Sequence, residues 1–353
     1  MPMAGFTQNV QLLTPLESAV SESSGLVYLN GKIITHTDSG GEAKLFEIDS
    51  TTGNVLRSVT ILNATNTDWE DIAADETYIY IGDFGNNNGN RTNLRIYRIL
   101  QSDYFESEND EAVADVITFN YSDQTDFTSA PFSTNYDAEA MISYQDSLYI
   151  FTKNWGDNHT NVYAVSKQPG DYALERGASL AVGGMITGAD YHENSGKLIL
   201  IGYTLVNPFV FLLSEFPEGQ FFEGEIENYN LQMPSGYAYQ IEGVTQFSPN
   251  HYFLTSEASF LGESGLFSLI HIPVGIEEVK EVEFSVSPNP ATDFLTVNIN
   301  EKITLKLFNS AGKLVREEDE NNMNVSDLSR GAYLLEIRGS RNKLLATERI
   351  ILN

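Results

Sequence analysis

Glu139-Ala140-Met141-Ile142-Ser143-Tyr144-Gln145-Asp146-Ser147-Leu148-Tyr149-Ile150-Phe151-Thr152-Lys153 decides the fold. A carboxylate heads a short apolar strand, a two-residue polar turn follows, and a strongly apolar strand ends on a lysine. A polar loop (Lys153–Thr160) and a third apolar strand (Asn161–Ser166) come next. Short apolar and β-branched runs bounded by turn formers read as strands, not helices.

The unit recurs. Its first strand begins again at Gly25, Asp71, Gly188 and Gly243, each time followed by a turn, an apolar strand, a polar loop and a third strand. An edge strand follows most units, at Val55–Leu62, Val113–Tyr121, Ala178–Val182 and Ile226–Gln232. Four antiparallel strands repeated at roughly 50-residue spacing are the pattern of a β-propeller. The fifth unit lacks a fourth strand of its own, and Thr7–Leu13 is the spare one. Placed there, it closes the ring and removes the exposed edges of an open array. The expectation is an all-β chain with a five-bladed β-propeller; a six-bladed one stays open, because Thr118–Ser133 has room for further strands.

Composition agrees. The 353 residues include 18 Tyr and 20 Phe, and 41% are hydrophobic, enough for a real core. No stretch reaches the roughly 18 apolar residues that span a bilayer. There is no cysteine, which excludes disulfides, thiolate metal sites and a Cys nucleophile. The start, MPMAGFTQNV, has neither a basic nor an apolar leader region, so the numbering is expected to begin after a removed signal peptide.

Net charge is −29, unevenly placed. Residues 1–282 hold 11 Lys/Arg against 39 Asp/Glu, and residues 283–353 hold 9 against 10. Such a break marks a domain boundary. A strongly acidic surface also repels phosphate, which excludes nucleic acid as a partner. The expected domains are a propeller over 1–275, a linker over 276–282 and a second domain over 283–353.

That second domain reads as a small Ig-like β-sandwich. Ser287-Pro288-Asn289-Pro290-Ala291-Thr292-Asp293 is a rigid turn, because two prolines one residue apart forbid helix. Short strands follow at Phe294–Ile299, Thr304–Phe308, Leu314–Arg316, Met323–Leu328, Tyr333–Arg338 and Glu348–Leu352. Pro288-Asn289-Pro290-Ala291-Thr292, the Asn309…Gly312-Lys313 turn and Leu328-Ser329-Arg330-Gly331-Ala332-Tyr333-Leu334 resemble the type A C-terminal sorting domain of the type IX secretion system of Bacteroidota. Arg349 stands where that family often has lysine. The resemblance implies the secretion machinery as partner through residues 283–353, and a secreted or outer cell-surface location.

Propeller geometry converts spacing into position. The head of each inner strand and the loop after the second strand lie on one face of the disc, and the tight turns lie on the other. Aligned heads are Ser24, Glu70, Glu139, Thr187 and Glu242; matching loop positions are His36, Asp38, Asp83, Lys153, Tyr203 and Glu257. Glu70, Glu139 and Glu242 are the candidate catalytic carboxylates, since paired carboxylates serve as acid and base. Crowded carboxylates raise one another's pKa unless Lys153 or a divalent ion intervenes. Trp155, with His159 nearby, reads either as a platform for a sugar ring or as a residue that caps its blade. In Asp83-Phe84-Gly85-Asn86-Asn87-Asn88, the oxygens of Asp83, Asn86 and Asn88 suit Ca²⁺. The same stretch also suits an Asx-turn loop that satisfies its own backbone.

The heads Glu242-Gly243-Val244, Glu139-Ala140-Met141 and Glu70-Asp71-Ile72 resemble those of secreted propellers of the phytase-like esterase and SdiA-regulated groups, over residues 20–272. The resemblance carries no catalytic residues across. The expected function is a monomeric cell-surface propeller binding a glycan or other extracellular small molecule at an acidic mouth. The alternative is a Ca²⁺-assisted hydrolase of a phosphoester or polysaccharide, and a purely structural surface protein is the third reading.

Overall fold

A computed structural model of the chain describes residues 7–204, 207–237, 240–259, 262–270, 284–299, 302–309, 313–339 and 344–353. The chain divides into two compact units, Met1–Ile272 and Pro273–Asn353.

The first unit is a β-propeller. Among its described residues are five antiparallel meanders, with inner strands Ser23–Leu29, Trp69–Ala74, Ala138–Tyr144, Met185–His192 and Ile241–Ser248. Each inner strand neighbours the inner strands of the preceding and following meanders, and the fifth neighbours the first, so the ring is closed. Tight turns join inner to second strands. Asn30 and Gly31 carry φ of 49° and 77°, the left-handed pair that a two-residue hairpin turn needs.

Closure is made by the chain's first strand. Thr7–Pro15 pairs antiparallel with Gly265–Ile270, with Val10 opposite Leu269, and becomes the fourth strand of the fifth meander. Its first residues also run parallel to Asn230–Gln232 of the fourth meander. The edge expected from Val113 begins at Asp115 and ends at Tyr121, and residues 122–137 cross to the third meander without a strand. Two short outer strands, Glu111–Ala112 and Gly170–Leu174, add in parallel to the first and second meanders. Sequence reading did not anticipate them, because neither has a strand's apolar alternation.

The core is distributed between neighbouring meanders. Val27, Ile34, Trp69, Ile72, Ile81 and Tyr97 fill the space between the first and second. Ala140, Ile142, Phe151, Leu198, Leu200 and Phe211 do so between the third and fourth. Each large side chain removed from water contributes about 1.5–3 kcal/mol. Trp69 is fully buried, and its indole N–H donates to the Thr65 carbonyl at 3.0 Å, so burial strands no donor.

The second unit is an Ig-like sandwich. A three-stranded sheet (Ser285–Ser287, Phe294–Asn298, Asn322–Asn324) faces a four-stranded one (Leu314–Glu318, Thr304–Asn309, Gly331–Arg338, Leu344–Leu352). Leu295, Val297, Leu305, Leu307, Met323, Leu335, Ile337 and Ile350 form its core. The strand read over Met323–Leu328 is only Asn322–Asn324, since residues 325–328 turn back. The last strand starts earlier than read, at Leu344. The 276–282 linker and residues 310–312 of the Asn309–Lys313 turn lie outside the described residues.

Candidate functional site

One irregularity repeats in all five inner strands. Trp69 pairs with Asp83 and Asp71 with Gly82, leaving Glu70 as the extra residue of a β-bulge. Glu139, Thr187 and Glu242 are the extra residues in their strands, and Ser24-Gly25 spans the bulge in the first. A bulge breaks the two-residue alternation and re-aims one side chain. Here the re-aimed side chain is always the strand head.

The heads converge on a cavity of about 180 Å³ lined by Ser24, Asp38, Glu70, Asn87, Phe132, Glu139, Lys153, Trp155, Tyr203, Gln240, Glu242 and Glu257. Where the head is a hydroxyl, it ties neighbouring meanders together. Ser24 Oγ donates to the Glu70 carbonyl at 2.6 Å, and Thr187 Oγ1 to the Ile241 carbonyl at 2.5 Å. Thr187 is buried and does not line the cavity.

Lys153 is the cavity's cation. Its ammonium donates to Glu139 Oε2 at 2.6 Å and sits 5.1 Å from the Trp155 ring and 5.5 Å from the Tyr203 ring. Burial works against its charge, but Glu139, Glu242 and Asp137 outweigh burial and hold Lys153 above its ordinary range. Lys153 and Glu139 form a buried pair, facing each other at 2.6 Å. Burial raises the carboxyls as well, Glu139 included. Burial first, then neighbouring carboxylates, raises Glu70 well above the usual range. Burial pushes Glu242 up to about 8 against the pull of Lys153, and Glu257 to about 7.

Several residues missed in the sequence belong here. Asp137 accepts from the Trp155 indole at 2.8 Å and from the Asn86 amide at 2.5 Å. Asp68 and Asp137 both stand two residues before a head, in Asp68-Trp69-Glu70 and Asp137-Ala138-Glu139. That shared Asp-x-Glu spacing was the available signal. Phe132, 61% exposed, arrives from the long loop after the second meander and packs edge-on against Trp155 at 4.9 Å. Asp71 bridges the channel below the mouth. Its Oδ2 accepts from the Met141 amide at 2.7 Å and the Ala189 amide at 3.3 Å, and its Oδ1 from Ile72 at 2.8 Å.

Three expected positions fall elsewhere. His36 is buried edge-on to Trp69 at 5.7 Å, and burial pushes it down to about 4. His159 lies against Asp157, outside the cavity lining. Asp83 is buried against Arg91 at 2.8 Å and Arg95 at 3.6 Å. In the second-meander loop read for Ca²⁺, protein partners engage the expected ligands Asp83 and Asn86. Guanidinium groups already neutralise Asp83, Asn86 is spent on the Tyr136 carbonyl and the Arg91 amide, and Asn88 points to the exterior. Carboxylate oxygens close enough to share an ion lie in the mouth instead, in Asp38–Asp68–Glu70 and Glu70–Asp137–Glu139, and these acidic clusters have the geometry to hold a metal ion.

Residues 285–353 match the family model of the secretion system C-terminal sorting domain. No curated protein matches the sequence. Among solved structures, the chain is similar to the PQQ-bound aldose sugar dehydrogenase of Streptomyces coelicolor, at 12% identity and TM-score 0.40, covering 74% of this chain and 97% of that one. It is similar to PorZ, a surface component of the type IX secretion system of Porphyromonas gingivalis, at 12% identity and TM-score 0.34. That match covers 94% of this chain and 45% of PorZ. A third likeness is to an exo-β-1,3-galactanase of Phanerochaete chrysosporium, at 10% identity and TM-score 0.46, covering 99% and 94%. No helix among the described residues is long and apolar enough to cross a membrane. The chain is a secreted, cell-surface β-propeller protein whose residues 285–353 are a type IX secretion C-terminal sorting domain.

Proposed function

We propose that the propeller, residues 1–275, acts as a monomer that binds the end group of an extracellular glycan at its acidic mouth. Residues 276–282 link it to the delivery domain, residues 283–353. One observation carries this reading: the exposed Phe132 and the half-buried Trp155 meet at the lip of a cavity lined with carboxylates. Aromatic faces take the C–H face of a sugar, and carboxylates accept hydrogen bonds from its hydroxyls. A cavity of about 180 Å³ is smaller than the roughly 300–1,000 Å³ of larger ligand clefts, which favours one terminal residue over an extended oligosaccharide. The test is a glycan array probed with the full chain and with Trp155→Ala and Phe132→Ala. Both variants should lose the signal. A wild-type chain that binds no glycan, or variants that bind as well as it does, would sink the proposal.

A second reading, Ca²⁺-assisted hydrolysis of a phosphoester or polysaccharide, is favoured by the Glu70, Asp137 and Glu139 oxygens lying within 4.8 Å of one another. Glu70 and Glu139 would supply the acid and the base of such a reaction. Under this reading, Glu139→Gln abolishes turnover while glycan binding through Trp155 persists.

A further inference from the structure

Negative charge in the mouth exceeds what its cations balance, and the excess is local. Of the two carboxylate trios, Glu70–Asp137–Glu139 has partners for two of its members. Glu139 holds Lys153, and Asp137 accepts from the Trp155 indole and the Asn86 amide. The other trio, Asp38–Asp68–Glu70, is less well served. Glu70 is 5% exposed, and its carboxylate has no hydrogen-bond or ion-pair partner among the described residues. Asp38 Oδ1 is buried without a hydrogen-bond partner. Asp68 sees a guanidinium only at 3.9 Å, from an Arg91 committed to Asp83 at 2.8 Å.

The surrounding backbone makes room for this second trio. Gly85 lies directly behind it, where a Cβ would stand 1.9 Å from Glu70 Oε1 and 2.6 Å from Asp68 Oδ2. Asn66 ties the two meanders that supply the ligands. Its amide donates to the carbonyls of Thr37 (2.9 Å) and Asp38 (2.7 Å), and its oxygen accepts from the Trp69 amide (3.2 Å). The oxygens of all three carboxylates lie within 4.8 Å of one another, and Asp38 and Asp68 are open to water on one side. Burying an uncompensated carboxylate is costly, and an ion removes that cost. All-oxygen ligands with room for water select a hard cation.

We infer that Asp38, Asp68 and Glu70 form a binding site for one hard divalent cation of the Ca²⁺ type, backed by Gly85 and completed by cavity water. The site does not depend on the glycan reading, because protein oxygens alone supply its ligands.

The test is calorimetric titration of the full, chelator-treated chain with CaCl2. One ion should bind per chain. Glu70→Gln, Asp38→Asn and Gly85→Ala should each weaken Kd at least about tenfold, since affinity follows ligand charge and fit. Asp137→Asn should weaken Kd less than Asp38→Asn does, because Asp137 is not a ligand of this trio and acts on it only through its charge. Thermal melts in chelator show which variants fold; Asp38→Asn, at a half-buried loop position, keeps the test open if Glu70→Gln does not. The inference fails if the wild type gives neither heat nor a melting shift in millimolar CaCl2. It fails equally if Asp38→Asn leaves Kd unchanged, or if Asp137→Asn weakens binding as much as Asp38→Asn does. A chain that binds Ca²⁺ but no glycan leaves the cation site standing and removes only the glycan reading.

Discussion

The two units handle acidic side chains in opposite ways. In the propeller, carboxylates are drawn inward to the channel, where burial raises Glu70, Asp71, Glu139, Asp190 and Glu242 above the ordinary range. In the sorting domain they stay outside and meet cations. Arg316 reaches both oxygens of Asp327 at 2.7 Å, and Lys306 lies 3.2 Å from Glu317. The difference separates a fold that keeps its charge under tension at one end of a channel from one that spreads it over a nearly neutral surface. Both tryptophans, Trp69 and Trp155, are in the propeller, so tryptophan fluorescence reports that unit alone.

The sharpest way to break the comparison is Asp71→Ala. It leaves the amides of Met141 and Ala189 without their buried acceptor. Each stranded donor costs about 1–3 kcal/mol. A fall of roughly 6–10 °C in the fluorescence-monitored melt is expected; an unchanged melt would show that the bridge across the channel is ornamental. Next comes Gly243→Ala, which puts a methyl 2.4 Å from Thr255 Oγ1 and 2.5 Å from the Ser24 carbonyl where inner strands meet. The expected cost is about 1–3 kcal/mol, read by chemical denaturation.

A pH series sharpens the contrast further. Asp190 and Glu257 are raised to about 7 and Glu242 to about 8 in the folded propeller. The folded state therefore binds more protons than the unfolded chain between about pH 4 and 8, and stability falls as pH rises through that window. In chelating buffer, the propeller should melt higher at pH 5.5 than at pH 8. A flat or inverted profile would mean those carboxylates are hydrated and ordinary. In the sorting domain, Asp327 is lowered by Arg316, so its contribution is present above the ordinary aspartate range and is lost only as pH falls below it. No change is expected there between pH 5.5 and 8. The smallest effect belongs to Arg316→Ala, which removes an exposed ion pair and should leave the melting of the sorting domain unchanged by calorimetry.

Much of the fold was legible because the repeat is written in strand and turn chemistry. The heads Glu70, Glu139 and Glu242, with Asp38, Lys153, Tyr203 and Glu257, could be placed near one another by counting alone. Bulges could not be counted. Asp83 pairs opposite Trp69 as Thr152 does opposite Ala138 and Ser256 opposite Ile241, so the second-meander position matching Lys153 and Glu257 is Phe84, which is buried in the core, rather than Asp83. A slip of one residue moves a side chain to the opposite face. Phe132 was illegible for another reason: it reaches the mouth from a loop without periodicity. Asp71 looked like part of an ordinary head motif, and only the closed ring shows that it faces backbone amides one and two meanders away.

Ring closure by Thr7–Pro15 also sets an order of events. A segment that precedes all five meanders finds its place last, since its partner Gly265–Ile270 lies at the far end of the unit. Such a long-range pairing is slow to form. Until it does, the fifth meander keeps an open edge that invites pairing with another chain. The propeller's commitment to a finished, single-copy form is thus delayed to the completion of its whole sequence, and short deletions at its front should favour chains joined strand to strand.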